Sequence, residues 1–194
     1  MKIVIIDYGA GNIQSIIFAI KRLGYDAVLS HDAKEIQEAD KVIFPGVGEA
    51  SSAMAKLKSS GLHKIIPELK QPVLGICLGM QLMCHSSEEG NTQGLGIFDL
   101  DVKKFSNLVK VPQIGWNQIT DLKTDLFKGV PEKSYIYLVH SFYAPLGQET
   151  IANSEYGLEY SAALKKDNFY GVQFHPEKSS DIGSMILNNF LTVI

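Results

Sequence analysis

The chain has 194 residues, which suits one domain able to bury a sizeable core. Its formal net charge of -3 leaves no basic stripe and argues against a nucleic-acid partner. The apolar run from Met1 is cut at Asp7, too early for a signal peptide or a membrane span. The two cysteines, Cys77 and Cys84, are spaced for neither a disulfide framework nor a zinc site, so a reduced, cytoplasmic setting with Cys77 as a free thiol is expected.

In chain order, Lys2 to Ile6 is a continuous apolar run, as for a strand buried on both faces of a parallel sheet. A Gly-rich turn, Gly9-Ala10-Gly11-Asn12, leads into a helix with Ile13, Ile16, Ile17, Ile20 and Leu23 on one face and Gly24 as its C-cap. Asp26 to Ser30 is predicted as a strand, Glu35 to Ala39 as a short helix and Lys41 to Phe44 as a strand. Ala50 to Ser60 is predicted as a helix closed by Gly61, and Pro72 to Ile76 as another apolar strand. Leu78 to Cys84 begins the next helix.

After about Gly90 the rhythm becomes strand-like: Val102–Phe105, Ile114–Ile119, Ser134–Val139, Thr150–Asn153, Tyr160–Lys165 and Phe169–Phe174, then a helix over Ile182–Leu191. The pattern predicts an α/β fold: a doubly wound, mostly parallel sheet with helices on both faces and an antiparallel extension in the C-terminal half. With no repeat and no linker, residues 1–194 read as a single domain.

The sharpest chemical signal is Gly75-Ile76-Cys77-Leu78-Gly79, at a strand-to-helix junction. Such a turn lifts a nucleophile off the carboxyl edge of a sheet, with glycines where a Cβ would strike backbone. The helix N-terminus favours a thiolate, and the Leu78 N–H can meet a developing oxyanion. Cys84 has no such context and reads as packing.

A thiolate nucleophile needs a base and an orienter for the base. Phe174-His175-Pro176-Glu177 offers both at the end of an apolar strand. In an extended chain His175 and Glu177 point the same way, with Pro176 stiffening the link. Strand ends at the carboxyl edge of an open α/β sheet place His175 on the same rim as Cys77.

Other signals carry less. The Gly9-Ala10-Gly11 loop resembles a dinucleotide fingerprint, but its third glycine position is Gln14, and Ser30 stands where a ribose-binding acid belongs. His31, His63, His85 and His140 form no metal cluster by spacing; His140 can shape a pocket. Neither a cofactor nor a metal is expected.

Three motifs in this order, Pro45-Gly46-Val47-Gly48, Gly75-Ile76-Cys77-Leu78-Gly79-Met80-Gln81 and Val172-Gln173-Phe174-His175-Pro176-Glu177, resemble the triad (class I) glutamine amidotransferases across nearly the whole chain. The resemblance implies a flavodoxin-like fold and a glutaminase. Cys77 would attack the glutamine side-chain amide, with Gly46, Val47, Gly48 and Leu78 as oxyanion hole. Gly79, Gln81, Ser141 and Phe142 would bind the substrate.

The segments Asp7–Asn12, Pro112–Asn117, Val139–Tyr143 and Pro176–Ser179 narrow the resemblance to a member whose ammonia passes to a (β/α)8-barrel cyclase of histidine biosynthesis. Asn12, Trp116 and Lys178 would then face that partner. A paralogous partner with another acceptor, such as a cell-surface sugar, fits the same residues. A stand-alone cysteine hydrolase would share the elbow and the histidine but would need neither Pro45–Gly48 nor Lys178. A non-catalytic subunit would have no use for all of Cys77, His175 and Glu177.

Overall fold

The computed structural model describes residues 1–9 and 13–194. A seven-stranded sheet forms the centre. Its parallel part is β13 (Phe169–Val172), β4 (Val73–Ile76), β3 (Lys41–Phe44), β1 (Ile3–Ile6) and β2 (Ala27–Ser30), side by side in that order. Beyond β13, β12 (Glu159–Lys166) and β11 (Thr150–Glu155) continue it antiparallel.

Alternate residues of each strand feed two cores. Val4, Ile6, Val42 and Phe44 join the core under α2 (Ala33–Gln37), α3 (Ala50–Ser59), α4 (Leu62–Ile65) and α5 (Leu78–Met83). Ile3, Ile5, Ile43 and Leu74 face the opposite core, with α1 (Ile13–Arg22) and α6 (Ser180–Thr192). The apolar stripe of α1 packs there as its spacing predicts, and Gly24 ends the helix at φ 87°. For α2, Asp32 caps the helix by accepting from the Glu35 N–H at 2.8 Å.

Four further strands, β5 (Cys84–Ser87), β6 (Thr92–Gln93), β7 (Phe98–Lys104) and β10 (Phe142–Tyr143), make a second sheet in the order β10-β7-β5-β6. A hairpin-like pair, β8 (Gln113–Ile119) and β9 (Ser134–His140), lies over the α6 side, with Ile119, Ile136 and Leu138 buried. Among the described residues, no helix is long and apolar enough to cross a membrane.

Two expectations change. The helix from Leu78 was expected to run on, but it stops at Met83, and Cys84 is extended at ψ 171°. All six residues of α5 are buried, so it has no solvent face along which to continue, and the chain pairs with β7 instead, Cys84 opposite Phe98. Strand β13 ends at Val172 rather than Phe174. The Gln173 N–H still bonds the Ala162 carbonyl, but the His175 N–H crosses to Tyr137 on β9 at 2.9 Å. That crossing turns the chain out over the sheet edge.

Candidate active site

Two glycines seat the helix that follows Cys77. Gly75 on β4 and Gly171 on β13 are direct register partners. A Cβ on Gly171 would strike the Met80 side chain, and one on Gly75 would come within 2.9 Å of the Met80 backbone nitrogen. Their absence lets the fully buried Met80 drop onto the sheet and draws α5 against it. Gly79 fits equally closely, since its Cβ would overlap the Phe44 carbonyl oxygen. Gly46 lies against it in turn, with room for no Cβ beside the Gly79 nitrogen at 2.5 Å.

The chain between β4 and α5 must therefore turn within one residue. That residue is Cys77, at φ 53° and ψ -111°, a conformation a non-glycine residue holds only under constraint. Its N–H bonds the Val172 carbonyl at 2.8 Å and its carbonyl accepts from Gln81 at 3.2 Å, so both ends of the turn are tied. A helix of six residues has a small macrodipole, so the thiol's neighbours matter more than the helix end.

Those neighbours come from the segment after β13, the strand paired directly with β4. His175 Nδ1 is 2.8 Å from Glu177 Oε1, and both side chains are almost fully enclosed. The pair arises differently from the extended geometry expected: Pro176–Lys178 is a 3-10 turn with His175 at its cap. Proline suits the first position of such a turn, and the tight curl brings Glu177 back to the ring. Ser179 locks the arrangement. Its Oγ donates to the His175 carbonyl at 2.7 Å and accepts from the Tyr137 N–H at 2.9 Å.

Burial alone would lower the His175 pKa, but hydrogen bonds and charges from Cys77 and Glu177 outweigh it and push it up to about 10. An imidazolium facing a thiolate, with a carboxylate behind it, is an arrangement that can deliver a sulfur nucleophile and then a proton.

Cys77 and His175 open into one cavity of about 360 Å³. Of the residues singled out from the sequence, Val47, Gly48, Leu78, Gln81, Ser141, Phe142 and Lys178 also line it. Gly46 and Gly79 are not among the lining residues; they form the packed floor under the Cys77 turn. Glu177 stands behind His175. Trp116 is on β8, about half exposed, its ring edge-on to Tyr137 at 5.9 Å. Asn12 lies outside the described residues.

Among the lining residues, Glu89 lies in none of the motifs, while Pro112 and Val139 open two of them without having been given a role of their own. Glu89 accepts from the Ala50 N–H at 2.9 Å, and burial raises its pKa. His140 also lines the cavity, as its place in the Val139–Tyr143 motif suggests. Burial first, then the charge of His175, lowers its pKa to about 4 against the Phe142 hydrogen bond, so it is neutral at pH 7. Its Nδ1–H donates to the Phe142 carbonyl at 2.7 Å. The same carbonyl accepts from Gln81 Nε2 at 2.9 Å, so two donors pin the segment that carries Ser141 and Phe142. Among the described residues, no group of His, Cys, Asp and Glu could hold a metal ion.

Comparison with known proteins agrees with this geometry. The family model for class-I glutamine amidotransferases matches residues 4–194. The imidazole glycerol phosphate synthase subunit HisH of Bacteroides fragilis is 56% identical, over 98% of this chain and 99% of that protein. The subunit of the same name from Yersinia pseudotuberculosis is 46% identical over the same shares. In fold, the chain is similar to a crystal structure described as a glutamine amidotransferase (TM-score 0.76, 17% identity, 97% of this chain and 96% of that one). It is also similar to the structure of PurLQS from Thermotoga maritima (TM-score 0.75, 15% identity, 99% of this chain and 98% of that one). With nearly its whole length matched, this chain belongs to the class-I glutamine amidotransferases.

Proposed function

We propose that the chain is the glutaminase subunit of an imidazole glycerol phosphate synthase, acting as one domain in the cytoplasm. It releases ammonia from glutamine through a Cys77–His175–Glu177 triad. The observation that carries the reading is the single cavity onto which Cys77 and His175 both open, with Glu177 bonded to the far side of the ring.

The Cys77 thiolate attacks the side-chain amide carbon. The developing oxyanion meets the Leu78 N–H and the Gly46–Val47–Gly48 segment. His175 gives its proton to the departing nitrogen, which leaves as ammonia, and a thioester remains. A water molecule passes a proton to His175 and attacks the thioester; the C–S bond breaks, the electron pair returns to sulfur, and glutamate departs. Glu177 keeps the ring oriented and stabilises its protonated form throughout.

The pocket chemistry supports glutamine as the substrate. Both N–H groups of the Gln81 amide have protein acceptors, Phe142 O at 2.9 Å and Gln173 Oε1 at 2.8 Å. Gln81 Oε1 and the Glu89 carboxylate are therefore the acceptors suited to an α-ammonium, while the Ser141–Phe142 backbone suits the α-carboxylate.

The ammonia would enter a (β/α)8-barrel cyclase that makes imidazole glycerol phosphate and an aminoimidazole carboxamide ribotide. The outer face of β8 and β9 supports this docking. Ile114, Trp116 and Tyr135 are all more than half exposed there, on the strand pair that leads to His140 and the cavity. Lys178 is exposed at the cavity itself.

The test is glutamate release by the purified chain, alone and with the barrel cyclase plus its nucleotide substrate. The reading expects low release alone and a steep rise with both. Silence in all mixtures that contain that cyclase would remove the pathway assignment.

A further inference from the structure

We infer that Gln173, in the motif but without a role so far, is a catalytic residue of this centre: its side-chain N–H holds the Cys77 thiolate, and Gln81 dictates its orientation. The inference rests on Cys77 being the nucleophile.

Gln173 is completely buried between β13 and His175. Its Nε2 lies 3.8 Å from Cys77 Sγ, within reach of a hydrogen bond to sulfur. Its Oε1 accepts from Gln81 Nε2 at 2.8 Å, and that same Nε2 donates to the Phe142 carbonyl at 2.9 Å. Only an amide nitrogen can stand between two carbonyl oxygens, so the orientation of Gln81 is determined. That in turn determines Gln173. Turning its amide over would set nitrogen against nitrogen at Gln81 and oxygen against sulfur at Cys77.

The sulfur needs this donor because its other neighbour opposes the thiolate. Val139 O lies 3.8 Å from Sγ, a distance equal to that of Gln173 Nε2. A carbonyl oxygen favours S–H and repels S⁻, whereas an N–H favours S⁻. Gln173 offsets the Val139 carbonyl and leaves the balance to His175. The donor acts twice in the cycle: it favours the attacking thiolate, and it stabilises the sulfur again when thioester hydrolysis breaks the C–S bond and returns the electron pair to it. The chain Cys77–Gln173–Gln81–Phe142 also joins the reacting atom to the wall that grips the substrate.

The test compares wild type with Gln173→Glu, which keeps the acceptor toward Gln81 but removes the N–H, and with Gln173→Met, which fills the space without hydrogen bonds. Cys77 alkylation by iodoacetamide is followed from pH 5 to 10 with peptide mapping. The titratable groups facing the thiol stay in place in both variants: His175 and Glu177, Tyr8 from the end of β1, His140 from β9, and Glu89 and Lys178 at the cavity.

The alkylation profile is expected to move up by about one pH unit in Gln173→Met, as for loss of one hydrogen bond to a charged group, and further in Gln173→Glu, whose carboxylate sets a like charge beside the thiolate, with kcat for glutamine down roughly ten- to a hundredfold and KM within about twofold. Unchanged profiles, or a loss of cooperative unfolding in both variants that marks a purely structural glutamine, overturn the inference. Wild-type Cys77 that reacts no faster than Cys84 removes the triad reading and this inference with it.

Discussion

Cys77 and Cys84 stand at opposite ends of the six-residue helix α5; both are buried and both are free thiols. Cys84 is fully enclosed, and its Sγ meets the Met80 carbonyl at 3.6 Å. Burial, then the charges of Glu149 and Asp101, push its thiol far up. Cys77 is only 7% exposed, yet it opens on a cavity and faces an imidazole and an amide N–H. The difference between the two lies in what the neighbours do to the charged form. Exposure is almost the same, and the residue type is identical, so neither predicts reactivity.

The comparison breaks most sharply by mutation. Cys77→Ala is expected to lower glutamine-dependent turnover by about a thousandfold or more, while turnover on added ammonia continues in the assembled synthase. Cys84→Ala is expected to leave both rates near wild type and to cost roughly 1–2 kcal/mol of stability through a small cavity. Paired rate assays and thermal unfolding check both. Loss of ammonia-dependent turnover in Cys77→Ala would mean that Cys77 is structural.

Glu177→Gln removes the charge behind His175 and keeps its shape. Glutaminase turnover should fall by about a hundredfold to ten-thousandfold, with assembly on the cyclase intact. A near-normal rate would take Glu177 out of the triad. Gly75→Ala acts through packing. The added Cβ forces α5 outward and carries Cys77 with it, so stability should drop by about 1–3 kcal/mol together with kcat. A variant with normal kcat would separate the seating of Met80 from the aim of the thiol.

A further effect is on stability against pH. The folded pKa of His175, about 10, lies above its ordinary value of 6.5, so its contribution is fully present below pH 6.5 and is lost as pH rises toward 10. The unfolding midpoint of wild type should therefore fall between pH 7 and 10 more than that of His175→Asn. Parallel curves would show that the ring is not held charged in the native state.

Much of the fold could be read from local pattern. The Lys2–Ile6 run and the stripe from Ile13 to Leu23 report burial directly, and both occupy the expected layers. Strand β5 escaped because Cys84-His85-Ser86-Ser87 has no apolar alternation and exists only through pairing with β7 and β6. The start of β7 carried a usable signal, since Phe98, Leu100 and Val102 alternate, and Asp32 with Glu35 marked the start of α2.

The site divides the same way. The elbow and the His175 segment stand out because their residue types are chemically unusual at those positions. The pairing of Gly75 with Gly171, the place of Glu89 at the cavity and the contact of Gln173 with Cys77 join residues far apart in sequence, and such juxtapositions leave no local trace.

The most direct test of the central claim is to treat the wild-type chain with a glutamine-like electrophile and map the adduct by mass spectrometry. The account predicts one adduct, on Cys77, suppressed by free glutamine and absent from Cys84. An adduct on Cys84, or labelling of Cys77 that glutamine does not suppress, would contradict it.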